Sequence, residues 1–267
     1  MDQPKIAVIT GGAGLLGQSH TEALLELGVK VYVSDINLKK AKRFCENINK
    51  NKYLGEALPL QLDVTNEKSI DQAIKKIKRI DILVNNAALN PTLKSLKRDK
   101  KTRKFNLHNI NFASYQKELD VGLTGYLKCT VKFGNMMAKN KQGVILNIAS
   151  DLSVISPNQN LYNKDNSKVF EYYKPASYSI IKHGVIGLTK YFATFWAKDN
   201  IRVNSLSPGG VYDNQNKNFL KKLKKLIPMS RMAEKNEYKS IVQFLCSDGS
   251  RYMTGQNIVM DGGRSIW

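Results

Sequence analysis

The sequence predicts a single doubly wound α/β domain built on a parallel sheet of about seven strands. Three observations lead there. Seven short, apolar, β-branched runs are spread through 267 residues, helical patterns fill most of the intervals, and no linker or composition shift marks a second domain. The runs fall at residues 6–9, 29–33, 58–62, 80–84, 144–148, 201–206 and 257–260. Strands covered on both faces read as continuous hydrophobic stretches, and their alternation with helices builds a parallel sheet. A hydrophobic content of 42% excludes a wholly disordered chain, and no run of about 18 apolar residues offers a membrane span. Cys45, Cys129 and Cys246 stand far apart without a C-x-x-C pair, and only three histidines accompany them. That argues against a disulfide framework and against a metal site, and it fits a reducing cytoplasm. The N-terminus runs straight into the first strand without a secretory pattern, so a cytoplasmic protein is expected.

The first strand ends in Thr10-Gly11-Gly12-Ala13-Gly14-Leu15-Leu16-Gly17, which sets Gly12, Gly14 and Gly17 at G-x-G-x-x-G spacing before an amphipathic segment, residues 18–27. Glycines there permit a tight turn and close backbone approach to a pyrophosphate, while the helix N-terminus supplies partial positive charge. The second strand ends on Asp35, 18 residues past Gly17, followed by Ile36. A carboxylate at that place accepts both ribose hydroxyls and repels a 2′-phosphate, so NAD is favoured. Lys39, Lys40 and Lys42 follow closely and keep NADP open. A dinucleotide-binding Rossmann domain is therefore expected, against the plainer reading of a glycine turn beside a surface aspartate.

The fifth run ends near Ser150, at the carboxyl edge where open α/β sheets bind ligands. Tyr178 and Lys182 open a later helical pattern and stand at i and i+4, neighbours on one face. An ammonium near a phenol favours the phenolate and equips it to exchange a proton with a substrate hydroxyl. Singly, Ser150 reads as a strand-end cap and Tyr178 as a core aromatic; together they point to a site.

Seven ordered motifs now make the chain resemble the short-chain dehydrogenase/reductases, in their compact, classical-type branch. They are the glycine turn, Asp63-Val64, Asn85-Asn86-Ala87-Ala88, Ser150, Tyr178 with Lys182, residues 204–209, and Thr254-Gly255-Gln256 through Asp261-Gly262-Gly263. The resemblance implies an NAD(P)-dependent oxidoreductase acting on an alcohol or ketone. Tyr178 would be the acid/base, Lys182 would orient the nicotinamide ribose and tune the tyrosine, and Ser150 would hydrogen-bond the reacting oxygen. Gly11, Gly12, Gly14, Leu15, Leu16, Gly17, Asp35 and Ile36 would hold the cofactor at one end. Asp63 and Val64 would flank the adenine, Asn86, Ala87 and Ala88 would line the ribose, and Pro208, Gly209 and Val211 would face the nicotinamide. Two positions depart from the pattern. Leu15 stands where the branch has a glycine, with Gly14 before it as in the extended, epimerase-like branch, and Gly122 replaces an Asn that anchors a proton-relay water.

Two stretches read as insertions, residues 90–111 and 151–175, and residues 211–236 read as a substrate lid. The second insertion holds Tyr162, Lys164, Lys168, Glu171, Tyr172, Tyr173 and Lys174. Rings interleaved with charges suit a sugar better than a steroid or acyl chain. The strings 148–155, 207–212 and 261–267 are similar to a bacterial subgroup associated with flagellin modification and legionaminic-type nonulosonic sugar synthesis, which implies an amino-sugar or sugar-phosphate pathway. Two alternatives stay open: a sugar-nucleotide epimerase or dehydratase that retains its NAD, and a non-catalytic, basic dinucleotide-binding protein. The helices expected at 111–139 and 176–198 pair across two-fold axes in the family, implying a homo-oligomer, dimer or tetramer. Tyr191, Phe192, Phe195 and Trp196 form a dense aromatic patch on the second.

The charge is the remaining signal. Forty-two Lys and Arg against 22 Asp and Glu give +20, a balance that invites nucleic acid, an anionic surface or an acidic ligand. Residues 39–52, 75–79, 94–104 and 217–225 carry net charges of +5, +4, +6 and +5. The first two suit solvated helix faces. The last two border the expected substrate mouth, so a funnel for an anionic small molecule is favoured over nucleic acid.

Overall fold

A computed structural model describes residues 3–90, 110–163 and 172–267. The seven strands are β1 (Ile6–Thr10), β2 (Lys30–Asp35), β3 (Ala57–Gln61), β4 (Ile82–Asn85), β5 (Gly143–Ile148), β6 (Ile201–Pro208) and β7 (Asn257–Met260). They form one sheet in the order β3-β2-β1-β4-β5-β6-β7, every pair parallel. The chain is a single-domain Rossmann-like α/β fold, as its periodicity predicts. Order reverses between β1 and β4, and there the carboxyl ends of the strands open a crevice.

Helices α1 (Leu15–Glu26), α2 (Leu38–Ile48), α3 (Glu67–Ile77), α4 (Phe112–Leu119), α5 (Gly125–Lys139), α6 (Ala176–Phe195), α7 (Lys217–Lys224) and α8 (Lys239–Cys246) complete the regular structure that bears on the site. The strands alternate their side chains between two cores. Ala7 and Ile9 of β1, with Ile82 and Val84 of β4, face α1, α2 and α8 through Leu24, Cys45 and Val242. Val8 and Leu83 point the opposite way, toward α3, α5 and α6 through Ile70, Phe133 and Phe192. That period of two, buried on both faces, is why the strands read as unbroken apolar runs. The long helix expected at 111–139 is interrupted: a π-turn at Asp120–Thr124 joins α4 to α5.

Two local features shape the crevice. Helices α2, α3, α4 and α7 each begin on an asparagine whose side chain accepts a backbone N–H, at Asn37, Asn66, Asn111 and Asn216. Helix α1 begins on Gly14 with no side-chain cap and no acidic residue in its first turn, so its leading N–H groups face outward with partial positive charge. The loop after β4 is also stapled to the glycine turn. Thr10 Oγ1 accepts the N–H groups of Asn86 (2.9 Å) and Ala87 (3.1 Å), and Asn86 Nδ2 donates to Thr10 O and Gly11 O.

Candidate active site

The glycine turn is built as tightly as its composition demands. Gly11 has φ +60°, a left-handed conformation that favours glycine, and a Cβ on Gly17 would lie 2.4 Å from Gly11 O. Leu15, at the family's glycine position, is exposed on the first turn of α1, and Gly14 N–H donates to Gly11 O at 2.9 Å. The turn therefore accommodates Leu15 by pointing it out of the fold. Asp35 ends β2 and its Oδ1 accepts Asn37 N–H at 2.9 Å, while Ile36 projects into solvent. Asp63 Oδ1 is occupied by the backbone and hydroxyl of Thr65. Val64 is buried, and a Cβ on Gly125 would meet its Cγ2 at 2.8 Å. Ala88 follows the stapled loop, and past β6 a Cβ on Gly209 would lie 2.7 Å from Asp261 Cα, with Val211 bridging to Ala233. All these residues follow the carboxyl ends of β1, β2, β3, β4 and β6. The uncapped helix, the close-packed glycines and the terminal carboxylate of β2 fit a dinucleotide lying across the switch point.

Ser150 follows β5 directly, and Tyr178 and Lys182 occupy the first two turns of α6. Lys182 is buried, donates to Ile148 O at 2.8 Å, and lies 5.8 Å from the centre of the Tyr178 ring. Tyr126 OH reaches the same carbonyl at 3.2 Å, so the last residue of β5 anchors both. Burial lowers the Lys182 ammonium to about 7, and the Lys174 charge pushes the same way. Burial raises the Tyr178 phenol to about 12; the Ser150 hydroxyl pulls it down and the Asp151 carboxylate pushes it up. Ser150, Tyr178 and Lys182 are thus brought together.

Of four partners of this group, only Lys174 was named from sequence, as one of the charges of the second insertion. Ser150 Oγ donates to Asp151 Oδ1 at 2.9 Å, and Asp151 Oδ2 pairs with Arg264 Nη1 at 2.7 Å, with both charged side chains buried. Lys174 places its ammonium 3.7 Å from the centre of the Tyr178 ring and donates to Asn90 Oδ1 at 2.5 Å. Asp151 was visible only as the neighbour of Ser150, and nothing local marks Arg264, which lies 113 positions away. Gly122 has a steric explanation. It sits in the π-turn against α6, where a Cβ would come within 2.9 Å of Ile181 Cγ2, so an asparagine side chain there requires this isoleucine to shift.

Helix α7 packs on the turn at Gln159–Tyr162. Leu161, Leu223, Ile227 and Met232 form a small separate core with Tyr162, Phe219, Leu220 and Leu226 around it, and Lys222 donates to the carbonyls of Asn160 and Asn163. Of the two basic runs expected to border the substrate mouth, residues 94–104 lie outside the described residues, as do Lys164, Lys168 and Glu171 of the second insertion.

A doubly wound sheet with these residues at its carboxyl edge defines a dinucleotide-dependent oxidoreductase. The chain belongs to the short-chain dehydrogenase/reductase family: the family model described as enoyl-(acyl carrier protein) reductase matches residues 14–265. A 3-oxoacyl-[acyl-carrier-protein] reductase of Synechocystis is 31% identical, over 97% of this chain and 96% of the relative. The post-translational flagellin modification protein A of Campylobacter coli is 28% identical, over 98% and 99%. A solved 3-oxoacyl-[acyl-carrier protein] reductase of Brucella melitensis with bound NAD superposes with a TM-score of 0.82 at 25% identity, over 98% of this chain and 92% of that one. Members of the family use NAD or NADP. Among the described residues no helix is long and apolar enough to cross a membrane, and no cluster has the makings of a metal site.

Proposed function

We propose that this chain is an NAD-linked dehydrogenase or reductase acting on a carbinol or ketone of a small, polar, sugar-like molecule. The observation that carries this reading is the grouping of Ser150, Tyr178 and Lys182 beside a switch-point crevice with an uncapped helix N-terminus. The nicotinamide, when bound, takes or gives the hydride. Tyr178 Oη receives the hydroxyl proton in oxidation and returns it in reduction, and Ser150 Oγ holds the reacting oxygen. The Lys182 ammonium favours the phenolate, and the Ile148 carbonyl fixes its position. Burial raises the resting phenol to about 12 and lowers the ammonium to about 7, so it opposes the charged form of both groups. Asp35 would accept the ribose hydroxyls and favour NAD; Lys39, Lys40 and Lys42 are exposed just beyond it and leave NADP as the alternative.

The sugar-like substrate rests on the polar character of the mouth, where Asn90, Lys174 and Tyr162 stand near Tyr178, and on the likeness to the flagellin modification protein. Residues 211–236 would act as the lid. The stacked rings of Tyr191 and Phe195 on α6, both about 60% exposed, suit a contact between copies of this chain.

The test is NAD-coupled turnover against polyols, sugar phosphates, amino-sugar phosphates, sugar nucleotides and an acyl thioester. Tyr178→Phe should lower kcat by roughly 10²–10⁴. Absence of NAD(H) binding, or turnover that survives this substitution, overturns the reading, and a preference for the acyl thioester overturns the sugar-like substrate. Stoichiometric release of NADH excludes an epimerase or dehydratase that retains its cofactor.

A further inference from the structure

Ser150 stands in the group around Tyr178, and a serine hydroxyl turns about a single bond unless something holds it. Contacts to Asp151 and Leu152 hold this one. Ser150 Oγ donates to Asp151 Oδ1 at 2.9 Å and accepts the Leu152 N–H at the longer distance of 3.2 Å. The short turn that carries these residues, Asp151–Ser153, has anchors apart from the carboxylate. Ser153 N–H donates to Ser150 O at 2.8 Å, Ser153 Oγ meets Ser207 Oγ of β6 at 2.8 Å, and Ser207 Oγ donates to Asn257 Oδ1 of β7.

The carboxylate is itself fixed. Its Oδ1 serves Ser150 Oγ and the Leu152 N–H, at 2.9 Å each, while Oδ2 receives Arg264 Nη1 at 2.7 Å. Rotating the carboxylate away from Ser150 also breaks the ion pair, so the guanidinium sets the direction in which Oδ1 faces the serine. Arg264 acts from a braced backbone. Asp261 accepts the N–H groups of Gly263 (3.0 Å) and Ser265 (2.8 Å) on either side of it, and Gly262 O accepts the Met229 N–H at 3.2 Å. Stability gives little reason for this arrangement, because a buried ion pair is often no better than apolar side chains of similar volume. What it supplies is a hydrogen-bond acceptor of fixed direction beside a hydroxyl that must be aimed.

We propose that Asp151, oriented by Arg264, is a positioning residue that holds the Ser150 hydroxyl where it meets the reacting oxygen, and that it does so through its acceptor oxygen rather than its charge. The proposal rests on the reading of Ser150 and Tyr178 as the reacting centre.

Two double variants test it in NAD-coupled assays. The first, Asp151→Asn with Arg264→Met, removes both charges and keeps an acceptor for Ser150; the second, Asp151→Leu with Arg264→Met, removes both charges and the acceptor. The first should keep kcat within about three-fold of wild type, and the second should lose roughly 10²-fold in kcat with KM little changed, the size expected for a misplaced reacting group. Adding Ser150→Ala to the second variant should leave kcat no lower than Ser150→Ala alone, because both changes remove the same interaction. Equal kcat in the two double variants, or losses that multiply in the triple variant, overturns the proposal. Crystal structures with NAD bound read the placement without turnover: Ser150 should keep one rotamer in wild type and in the first variant and leave it in the second. An unchanged rotamer in the second variant also overturns the proposal. A wild-type chain with no NAD-linked turnover, or a Ser150→Ala chain as fast as wild type, refutes the proposed function instead, and the rotamers still decide whether Asp151 places Ser150.

Discussion

Arg264→Met removes the counter-charge of a carboxylate that touches Ser150. The Asp151–Arg264 pair is 2.7 Å long and its side chains are 5% and 9% exposed, so water cannot replace the lost guanidinium. Breaking such a pair from one side strands a buried charge and costs about 3–5 kcal/mol. For a chain of this size each kcal/mol shifts the melting temperature by about 2–4 °C, so a fall on the order of 10 °C is expected. Urea denaturation measures the free energy and a thermal melt the shift. The double substitution Asp151→Leu, Arg264→Met removes both charges and should recover most of the loss, since apolar replacement of a buried pair is often neutral. It should still turn over slowly, because Ser150 Oγ loses its 2.9 Å acceptor. A single Arg264→Met protein within about 1 kcal/mol of wild type would refute the argument, since the surroundings would then have supplied another partner or admitted water.

Gly122→Asn should destabilise the fold by about 1–3 kcal/mol through overpacking against Ile181. Ile181→Ala in the same chain should recover part of that loss, a coupling that a double-mutant cycle measures. His20 is fully buried, neither ring nitrogen has a hydrogen-bond partner in the structure, and desolvation lowers its pKa from 6.5 to about 4. Below pH 6.5 the unfolded chain takes up a proton that the folded chain refuses, so stability falls as pH drops toward 4, by about 3 kcal/mol in all. His20→Leu should flatten that slope in denaturation curves taken between pH 4 and 7; an unchanged slope would locate the pH dependence elsewhere.

Much of the fold was legible because its signals are local. Parallel strands buried on both faces leave unbroken apolar runs, and the glycine turn marked β1, whereas the strand order came from the structure. Boundaries moved by a residue or two: β4 begins at Ile82 where the apolar run begins at residue 80, and β6 extends to Pro208. The π-turn at Asp120–Thr124 was not legible, because a single widened turn changes hydrogen-bond partners without changing the hydrophobic pattern. The basic run at 217–225 read as a border of the substrate mouth, but Lys222 reaches down to two loop carbonyls. A charge pattern cannot separate a solvated lysine from one used in packing.

By itself the sequence determined the chemistry that depends on neighbours along the chain. The glycine turn needs its residues consecutive, and Tyr178 and Lys182 need only one helical turn between them, so spacing suffices for both. Only the tertiary structure decided what surrounds them. Asp151 meets Arg264 across 113 residues, and Lys174 meets Asn90 across 84. Such pairs leave no periodic trace, because buried polar and charged groups find partners wherever the folded chain brings them together, and those partners set the electrostatics around Tyr178.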